Sequence, residues 1–183
     1  MTTEARAPVA DRFAERIGCD SLDLRTVVLE VSRIPYRRPS ELSADGVVSE
    51  WCGTCSTKHM LLAVLATACE RPHPVRLWHR PYRLTRSLAI ELFAPQVAAA
   101  VPADGLVDVH TFATIGIEGR AVQVDVTFPI EDWDGSSDLP LACGDGTDVP
   151  AGPAPLETKA DLVARYCDPA LREPFIAAVA RWA

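Results

Sequence analysis

Two segments near the middle of the chain have the clearest alternation of hydrophobic and polar positions. They are residues 107–117 (VDVHTFATIGI) and residues 121–129 (AVQVDVTFP). Each has one apolar face and one mixed face, which is typical of a strand buried on one side. Because a hairpin buries both apolar faces together, odd positions of the first strand must share a face with even positions of the second. The pattern therefore predicts an antiparallel hairpin with its turn at Glu118 and Gly119.

The same register brings two polar side chains together on the mixed face. A two-residue turn places His110 opposite Thr127 and Phe112 opposite Asp125. His110 and Asp125 are then diagonal neighbours, with their β-carbons roughly 5–8 Å apart. We therefore predict a side-chain hydrogen bond between these two residues.

The spacing of apolar residues predicts five helical segments in the rest of the chain. These are residues 21–34, 54–68, 87–101, 157–167 and 170–182. Pro35 is expected to end the first helix, and Thr54 is expected to cap the second. Pro95 either kinks the third helix or begins a new one, and Asp168 with Pro169 opens the last.

One further strand is predicted over residues 74–84, and two loops over residues 35–50 and 134–155. Because Pro81 lacks a backbone N–H, we expect it to place this strand at a sheet edge or to end it early. The order of elements is helix, helix, strand, helix, hairpin, helix. This order indicates the α+β fold class, with helices flanking the sheet at both ends of the chain.

Length and composition limit the class of protein. The chain has 183 residues, 48% of them hydrophobic, and a net charge of −7 with a pI near 5.1. We therefore expect a single domain over residues 1–183 with an ordinary hydrophobic core, and not a disordered chain. Such an acidic chain is a poor candidate for a nucleic-acid-binding protein, in which a basic surface is expected.

No segment indicates export or insertion into a membrane. No apolar run approaches the eighteen or so residues of a spanning helix, and the first residues, MTTEARAPVADRFAER, contain no hydrophobic signal segment. We therefore expect a cytoplasmic protein without a membrane partner. In that compartment the six cysteines are expected to be thiols and not a disulfide framework. Nothing in the sequence indicates the oligomeric state.

The segment SEWCGTCSTKHMLL at residues 49–62 contains two cysteines, and three kinds of site are compatible with such a pair. Cys52 and Cys55 resemble a thioredoxin-type redox pair, but such a pair follows a buried strand, and here a predicted loop precedes it. A zinc site would use Cys52, Cys55 and His59, but no second CxxC or HxxxH supplies further ligands, so we expect no metal. The third kind is a single nucleophilic cysteine at a helix start.

Cys55 has the features that a nucleophilic cysteine requires. The positive end of a helix and an adjacent imidazolium lower the pKa of a thiol, and free amides at the helix start stabilise an oxyanion. A carboxylate fixes the tautomer and the orientation of the histidine. Cys55 follows the capping residue Thr54, while His110 and Asp125 meet on the predicted hairpin. These residues therefore predict a Cys-His-Asp triad.

The chain resembles the transglutaminase-like superfamily, which has a papain-like fold. The resemblance covers roughly residues 45–130 and is carried by Gly53-Thr54-Cys55 before an apolar helix, His110 in DVHTF and Asp125 in VQVDVTFP. The segment GTCSTKH is similar to a branch of mostly uncharacterised members. The resemblance implies a nucleophile helix packed on a small antiparallel sheet. It also implies that Cys55 is the nucleophile, His110 the general base and acid, and Asp125 the group that orients the histidine.

The activity that the resemblance implies is acyl chemistry without a cofactor. Such an enzyme is an amide or peptide hydrolase or an acyltransferase, which forms a thioester with a small-molecule or peptide substrate. Hydrolysis, acyl transfer and loss of activity all occur on this scaffold. Two alternatives therefore stay open, a catalytically silent binding module and a thiol–disulfide protein that uses Cys52 and Cys55.

The neighbours of Cys55 include one departure from the superfamily. Better-known members often have an aromatic residue directly after the nucleophile, and here it is Ser56. The second oxyanion donor is not identifiable from the sequence. Lys58 and His59 are expected to face solvent or the flank of the helix, where one of them would support substrate binding. Cys52 is expected to lie on the loop that enters the site.

Overall fold

The computed structural model describes residues 8–182, and this part of the chain contains eight helices and a four-stranded antiparallel sheet. The helices are α1 (Val9–Ile17), α2 (Leu24–Arg33), α3 (Ala44–Glu50), α4 (Cys55–Ala68), α5 (Arg86–Leu92), α6 (Pro95–Ala98), α7 (Pro155–Tyr166) and α8 (Pro169–Trp182). The strands are β1 (Val75–Leu84), β2 (Leu106–Ile117), β3 (Arg120–Val124) and β4 (Val149–Pro150). The predicted α+β class is therefore confirmed. Within residues 8–182, no helix is both long and apolar enough to cross a membrane.

The sheet has the strand order β3-β2-β1-β4, and its hairpin has the predicted register. Ile117 pairs with Arg120 across the turn, and Ala113 pairs with Val124. The turn residues Glu118 and Gly119 both have positive φ angles, 49° and 79°, as a two-residue hairpin turn requires. The alternation of apolar positions was therefore sufficient to fix the pairing of these two strands.

The apolar faces of β2 and β3 form one wall of the main core. Ala113 and Ile115 of β2 are buried on the same side as Val122 and Val124 of β3, as the parity of the two segments predicts. The same cluster contains buried residues of α2 and α4, among them Val27, Val28, Leu61, Leu62 and Leu65. The start of α4 is thereby held against the sheet.

The sequence predicted that strand β3 continues to residue 129, but in the structure it ends at Val124. The reason lies in the next residue, since Asp125 Oδ1 accepts a hydrogen bond of 2.9 Å from the backbone N–H of Thr127. A carboxylate that binds the amide two residues ahead turns the backbone away from a ladder. The chain therefore leaves the sheet just where Asp125 must meet His110.

The prediction for Pro81 was wrong in both of its forms. Strand β1 runs past Pro81 to Leu84, and it lies inside the sheet between β2 and β4. Because β4 pairs only with Trp78 and His79, the missing N–H of Pro81 interrupts no ladder on that side. On the other side Pro81 faces Val109 of β2.

The predicted helices are present, with shifted ends, and two further helices occur. α2 begins at Leu24 because Asp23 caps it, accepting 2.9 Å from the backbone N–H of Thr26. α1 was not predicted, and α3 lies in the segment predicted as loop. Ser43 caps α3 by accepting 3.0 Å from the backbone N–H of Gly46. This short cap signal was outweighed in the sequence by the surrounding turn-forming residues.

The helices that follow β1 pack against the sheet and around a second apolar cluster. Pro95 begins a new helix, α6, which is one of the two predicted outcomes. Asp168 Oδ1 accepts 2.9 Å from the backbone N–H of Ala170 at the start of α8, as predicted. A second apolar cluster around Phe93 and Phe175 joins α5, α6 and α8. Both α7 and α8 contact β2.

Candidate active site

Cys55 is the first residue of α4 and lies at a well-ordered helix start. Thr54 occupies the capping position, and its backbone N–H donates 2.9 Å to Thr57 Oγ1. The loop after α2 runs beside this start, because the backbone N–H of Gly53 donates 3.0 Å to Pro35 O and that of Arg37 donates 3.1 Å to Gly53 O. Cys55 is 7% exposed, so its sulfur lies at the floor of a cleft.

His110 and Asp125 form the predicted hydrogen bond. His110 Nε2 lies 2.7 Å from Asp125 Oδ2, and both side chains are buried. The same carboxylate accepts 2.8 Å from the backbone N–H of Ala142 and 2.9 Å from that of Thr127. Four oxygen lone pairs are thus available to three donors, which keeps the carboxylate ionised in spite of its burial.

His110 is also a hydrogen-bond partner of the Cys55 thiol. Because Nε2 binds Asp125, Nδ1 is the ring nitrogen that remains for this hydrogen bond. Burial alone would lower the pKa of His110, but the charges of Asp125 and Cys55 and its hydrogen bonds to both raise that pKa well above its usual value. Burial alone would raise the pKa of Cys55, but Lys159 and His110 together lower that pKa well below its usual value. Both shifts favour a thiolate–imidazolium pair over a neutral thiol and a neutral imidazole.

Lys159 is a member of this site that the sequence analysis missed. Its ammonium group on α7 lies 3.0 Å from Cys55 Sγ, 3.0 Å from Ser56 Oγ and 3.2 Å from Thr111 Oγ1. An ammonium has three N–H donors, so all three are used. Lys159 thus places a second positive charge beside the sulfur, on a helix separated from Cys55 by about a hundred residues.

Ser56 and Thr111 connect this lysine to a buried histidine. Ser56 Oγ lies 2.9 Å from Thr111 Oγ1, which lies 3.0 Å from His79 Nδ1. His79 Nε2 lies 2.8 Å from Pro155 O, a pure acceptor, so the proton is on Nε2 and Nδ1 accepts from Thr111. Burial lowers the pKa of His79 to about 4, which keeps the ring neutral. This series of hydrogen bonds connects the first turn of α7 to β1.

Ser56 therefore has a structural role directly after Cys55. An aromatic side chain in this position would remove an acceptor of the Lys159 ammonium and occupy its space. The hydroxyl of Ser56 belongs to the group of acceptors that holds the lysine next to the sulfur.

The prediction that Lys58 faces solvent or the helix flank was wrong. Its side chain is fully buried, and its ammonium donates 2.8 Å to Ser32 O, 2.9 Å to Ile34 O and 2.8 Å to Thr127 O. Burial lowers its pKa to about 7. Gly53 is required beside it, because a β-carbon at Gly53 would lie 2.6 Å from Lys58 Cγ. Lys58 joins α4 to the end of α2 and to the chain after β3, and it is not free to bind substrate.

His59 is also fully buried, contrary to the prediction. Its Nε2 accepts 3.1 Å from the backbone N–H of Val126, so its proton is on Nδ1, which donates 2.6 Å to Cys55 O. Burial lowers the pKa of His59, consistent with a neutral ring. With both nitrogens bound to the backbone, His59 is not available as a metal ligand. Residues 8–182 contain no group of three or more His, Cys, Asp or Glu side chains that could hold a metal ion.

Cys52 lies on the loop that enters α4, and it is buried with a free thiol. Its neighbour is the guanidinium of Arg37, whose pKa is raised by the hydrogen bond to this thiol. Cys55 is also a free thiol, so the two cysteines do not form a disulfide. Cys52 therefore has Arg37 as its neighbour, whereas Cys55 has His110 and Lys159.

Tyr36, on the loop after α2, is a further neighbour of Cys55. Burial raises the pKa of its hydroxyl well above the usual value, and the charge of Cys55 and a hydrogen bond to it act in the same direction. The hydroxyl therefore stays protonated and is a donor towards the sulfur. Tyr36, Cys55 and Lys159 all line one cleft of about 290 Å³.

Comparison of the chain with protein-family models, with curated proteins and with solved structures found no match.

Proposed function

We propose that this protein is a cysteine-dependent acyl-handling enzyme, a hydrolase or an acyltransferase that forms a thioester on Cys55. The observation that carries the proposal is the sulfur of Cys55, held at a helix start between the cationic groups of His110 and Lys159. A buried thiol in an electropositive environment that opens into a cleft is typical of a nucleophile and not of a core cysteine.

The proposal includes the transglutaminase-like, papain-like fold. Two features support it, the helix that begins at Cys55 and packs on an antiparallel sheet, and the order of nucleophile, histidine and carboxylate along the chain. His110 binds Asp125 through Nε2 and is also a hydrogen-bond partner of the thiol, which leaves Nδ1 as the nitrogen that serves Cys55. This is the arrangement in which a carboxylate fixes the histidine that serves the nucleophile.

The reaction has two steps in this proposal. The thiolate of Cys55 attacks the carbonyl carbon of the substrate, the bond to the leaving group breaks, and the leaving group takes the Nδ1 proton of His110. A thioester and a neutral histidine result. Water or an amine then attacks the thioester, gives its proton to His110, and the C–S bond breaks to restore the thiolate. Asp125 holds the ring throughout.

The oxyanion of both steps requires hydrogen-bond donors beside the sulfur. The first backbone amides of α4 have no acceptor within the helix and supply one donor. Lys159 and Tyr36 are the candidates for the second, because both are hydrogen-bond partners of Cys55. The lysine fits the role better, since a positive charge stabilises an oxyanion more strongly than a neutral hydroxyl does.

An activated ester without other recognition elements tests the proposal. With p-nitrophenyl acetate we expect acetylation of Cys55 in a stoichiometric burst, visible as nitrophenol release and as a mass increase of the intact protein. Cys55→Ser should abolish the burst, and Cys52→Ser is the matched control that should retain it. The reason is that only Cys55 contacts His110 and Lys159.

Two other outcomes would support the alternatives instead. Rapid alkylation of Cys55 by iodoacetamide without any acetylation would indicate a reactive but catalytically silent module. Equal loss of activity in Cys52→Ser and Cys55→Ser, with a dependence on the redox buffer, would indicate a thiol–disulfide protein.

A further inference from the structure

The cleft above Cys55 is lined by three cationic side chains as well as by the sulfur of Cys55. It runs between α7 and α8 and is closed on the third side by the loop after α2. Three of its side chains are cationic, Arg38, Lys159 and Arg172, and no aspartate or glutamate is among the described residues that line it. The protein as a whole carries a net charge of −7, so this cationic cleft is opposite to the overall charge.

Arg172 is held in place while part of its guanidinium stays available. Its Nε donates 2.6 Å to Asp108 Oδ1, which fixes the plane of the group. Its terminal nitrogens have no hydrogen-bond partner within residues 8–182. A guanidinium fixed through one edge presents the other in the fork geometry that matches a carboxylate.

Arg38 provides a second cation at the same cleft. It is exposed on the loop after α2, and the described part of the chain supplies no hydrogen bond or ion pair to its side chain. Lys159 differs from both arginines, because Cys55, Ser56 and Thr111 hold its ammonium at the sulfur, where it is the candidate oxyanion donor. The two arginines are therefore the cations that remain for a ligand.

Most of the rest of the lining is apolar, apart from Tyr36 and the hydroxyl residues at the start of α4. Leu156 and Val163 of α7 face Ile176 of α8 across the cleft, with Leu42 from the loop. A volume of about 290 Å³ lies at the lower end of the range for small-molecule sites. The occupant must therefore combine a short apolar segment with an anionic group.

We propose that the acyl substrate of Cys55 carries a carboxylate, which Arg172 and Arg38 bind, and an apolar segment that lies between α7 and α8. This inference rests on the proposed function, since it names the substrate class of the same site. The carboxylate would hold the compound by its non-reacting end while the carbonyl carbon lies at the sulfur. Binding energy from that end then serves to position the reacting end.

Two affinity labels with the same reactive group test this substrate class. N-bromoacetyl-leucine and N-bromoacetyl-leucinamide differ only in the carboxylate, and both alkylate a thiol by displacement of bromide. We expect the carboxylate label to alkylate Cys55 at least about tenfold faster, as one charge-assisted hydrogen-bonded contact implies. Peptide mapping identifies the alkylated cysteine, and Cys55→Ala measures the background from the other thiols.

Variants then assign the preference to the arginines. Arg38→Gln should reduce the ratio of the two rates several-fold, and it removes no contact within the described fold. Arg172→Lys retains a cation for Asp108 but lacks the fork, so it should reduce the ratio as well. Arg165→Gln is the matched control, because Arg165 lies on α7 outside the cleft lining, and the ratio should not change.

The inference and the proposed function fail in different ways. A wild-type ratio near one, or a ratio that Arg38→Gln and Arg172→Lys leave unchanged, would overturn the substrate class while rapid iodoacetamide labelling of Cys55 still supported the nucleophile. If iodoacetamide alkylates Cys55 no faster than Cys19, the proposed function fails, and the inference fails with it.

Discussion

Lys58 and Lys159 are the only lysines in the sequence, and each places an ammonium group with three acceptors beside α4. The acceptors of Lys58 are three backbone carbonyls, contributed by α2, the residue that follows it and the chain after β3. The acceptors of Lys159 are a thiol and two hydroxyls. The two ammonium groups thus donate the same number of hydrogen bonds, but their acceptors are of different chemical kinds.

This difference separates a structural lysine from one that acts on the chemistry. A carbonyl oxygen can only accept a hydrogen bond. The three carbonyls that Lys58 binds therefore cannot bond to one another when the ammonium is removed. A thiolate can take up a proton, and the two hydroxyls already bond to each other. Loss of Lys58 is therefore expected to change the stability of the fold, and loss of Lys159 to change the protonation of Cys55.

The largest effect is expected for Lys58→Met. This change leaves three buried carbonyls without a donor, and each unsatisfied buried acceptor costs about 1–3 kcal/mol. We therefore expect the free energy of unfolding to fall by about 3 kcal/mol or more, measured by urea denaturation. Lys159→Met is the matched control, with an expected loss of less than about 1 kcal/mol. Equal losses in the two variants would show that the kind of acceptor is irrelevant.

The next effect is expected on the thiol of Cys55 in Lys159→Met. Without the neighbouring charge, the pKa of Cys55 rises towards its usual value, so less thiolate is present at a given pH below that value. We expect iodoacetamide alkylation at about pH 6.5 to slow by about tenfold for each unit by which the pKa in the variant exceeds that pH. The measurement is the rate of alkylation as a function of pH.

The wild-type profile should fall only at a pH well below that at which an ordinary thiol becomes protonated, because the pKa of Cys55 is lowered. The Lys159→Met profile should be displaced to higher pH. Superimposable profiles of the two proteins would mean that Lys159 does not act on the thiol. In that case His110 alone would account for its reactivity.

The elements that the sequence predicted well are those with local periodicity. The hairpin and the contact between His110 and Asp125 followed from the alternation of apolar positions and from a two-residue turn. The start of α4 followed from Thr54 and the apolar residues after it. These features depend on neighbours in the chain, which a pattern records directly.

The cationic partner of Cys55 could not be predicted in the same way. Lys159 belongs to a helix that the sequence predicted, but no periodicity relates that helix to α4. One signal was nevertheless present, since sixteen of the eighteen Lys and Arg residues are arginines. A compact ammonium with three donors fits a small buried space that a planar guanidinium does not. In a chain that otherwise uses arginine, each of the two lysines therefore marked a special environment.

The smallest effect is expected for Ser56→Ala, which removes one acceptor of Lys159 and leaves its charge in place. The ammonium keeps Thr111 and Cys55 but is held less firmly beside the sulfur. A single hydrogen bond contributes about 0.5–1.5 kcal/mol, so we expect alkylation of Cys55 at about pH 6.5 to slow by about two- to tenfold, less than in Lys159→Met.

Ser32→Ala is the control for the other lysine, because Lys58 binds the backbone carbonyl of Ser32 and not its hydroxyl. That hydroxyl instead donates 2.7 Å to Leu29 O and accepts 3.0 Å from the backbone N–H of Ile130. Ser32→Ala should therefore reduce stability by about 1–3 kcal/mol and leave the alkylation rate of Cys55 unchanged. If Ser56→Ala behaved in the same way as Ser32→Ala, Ser56 would be a buried polar residue of the fold and would have no part in positioning Lys159.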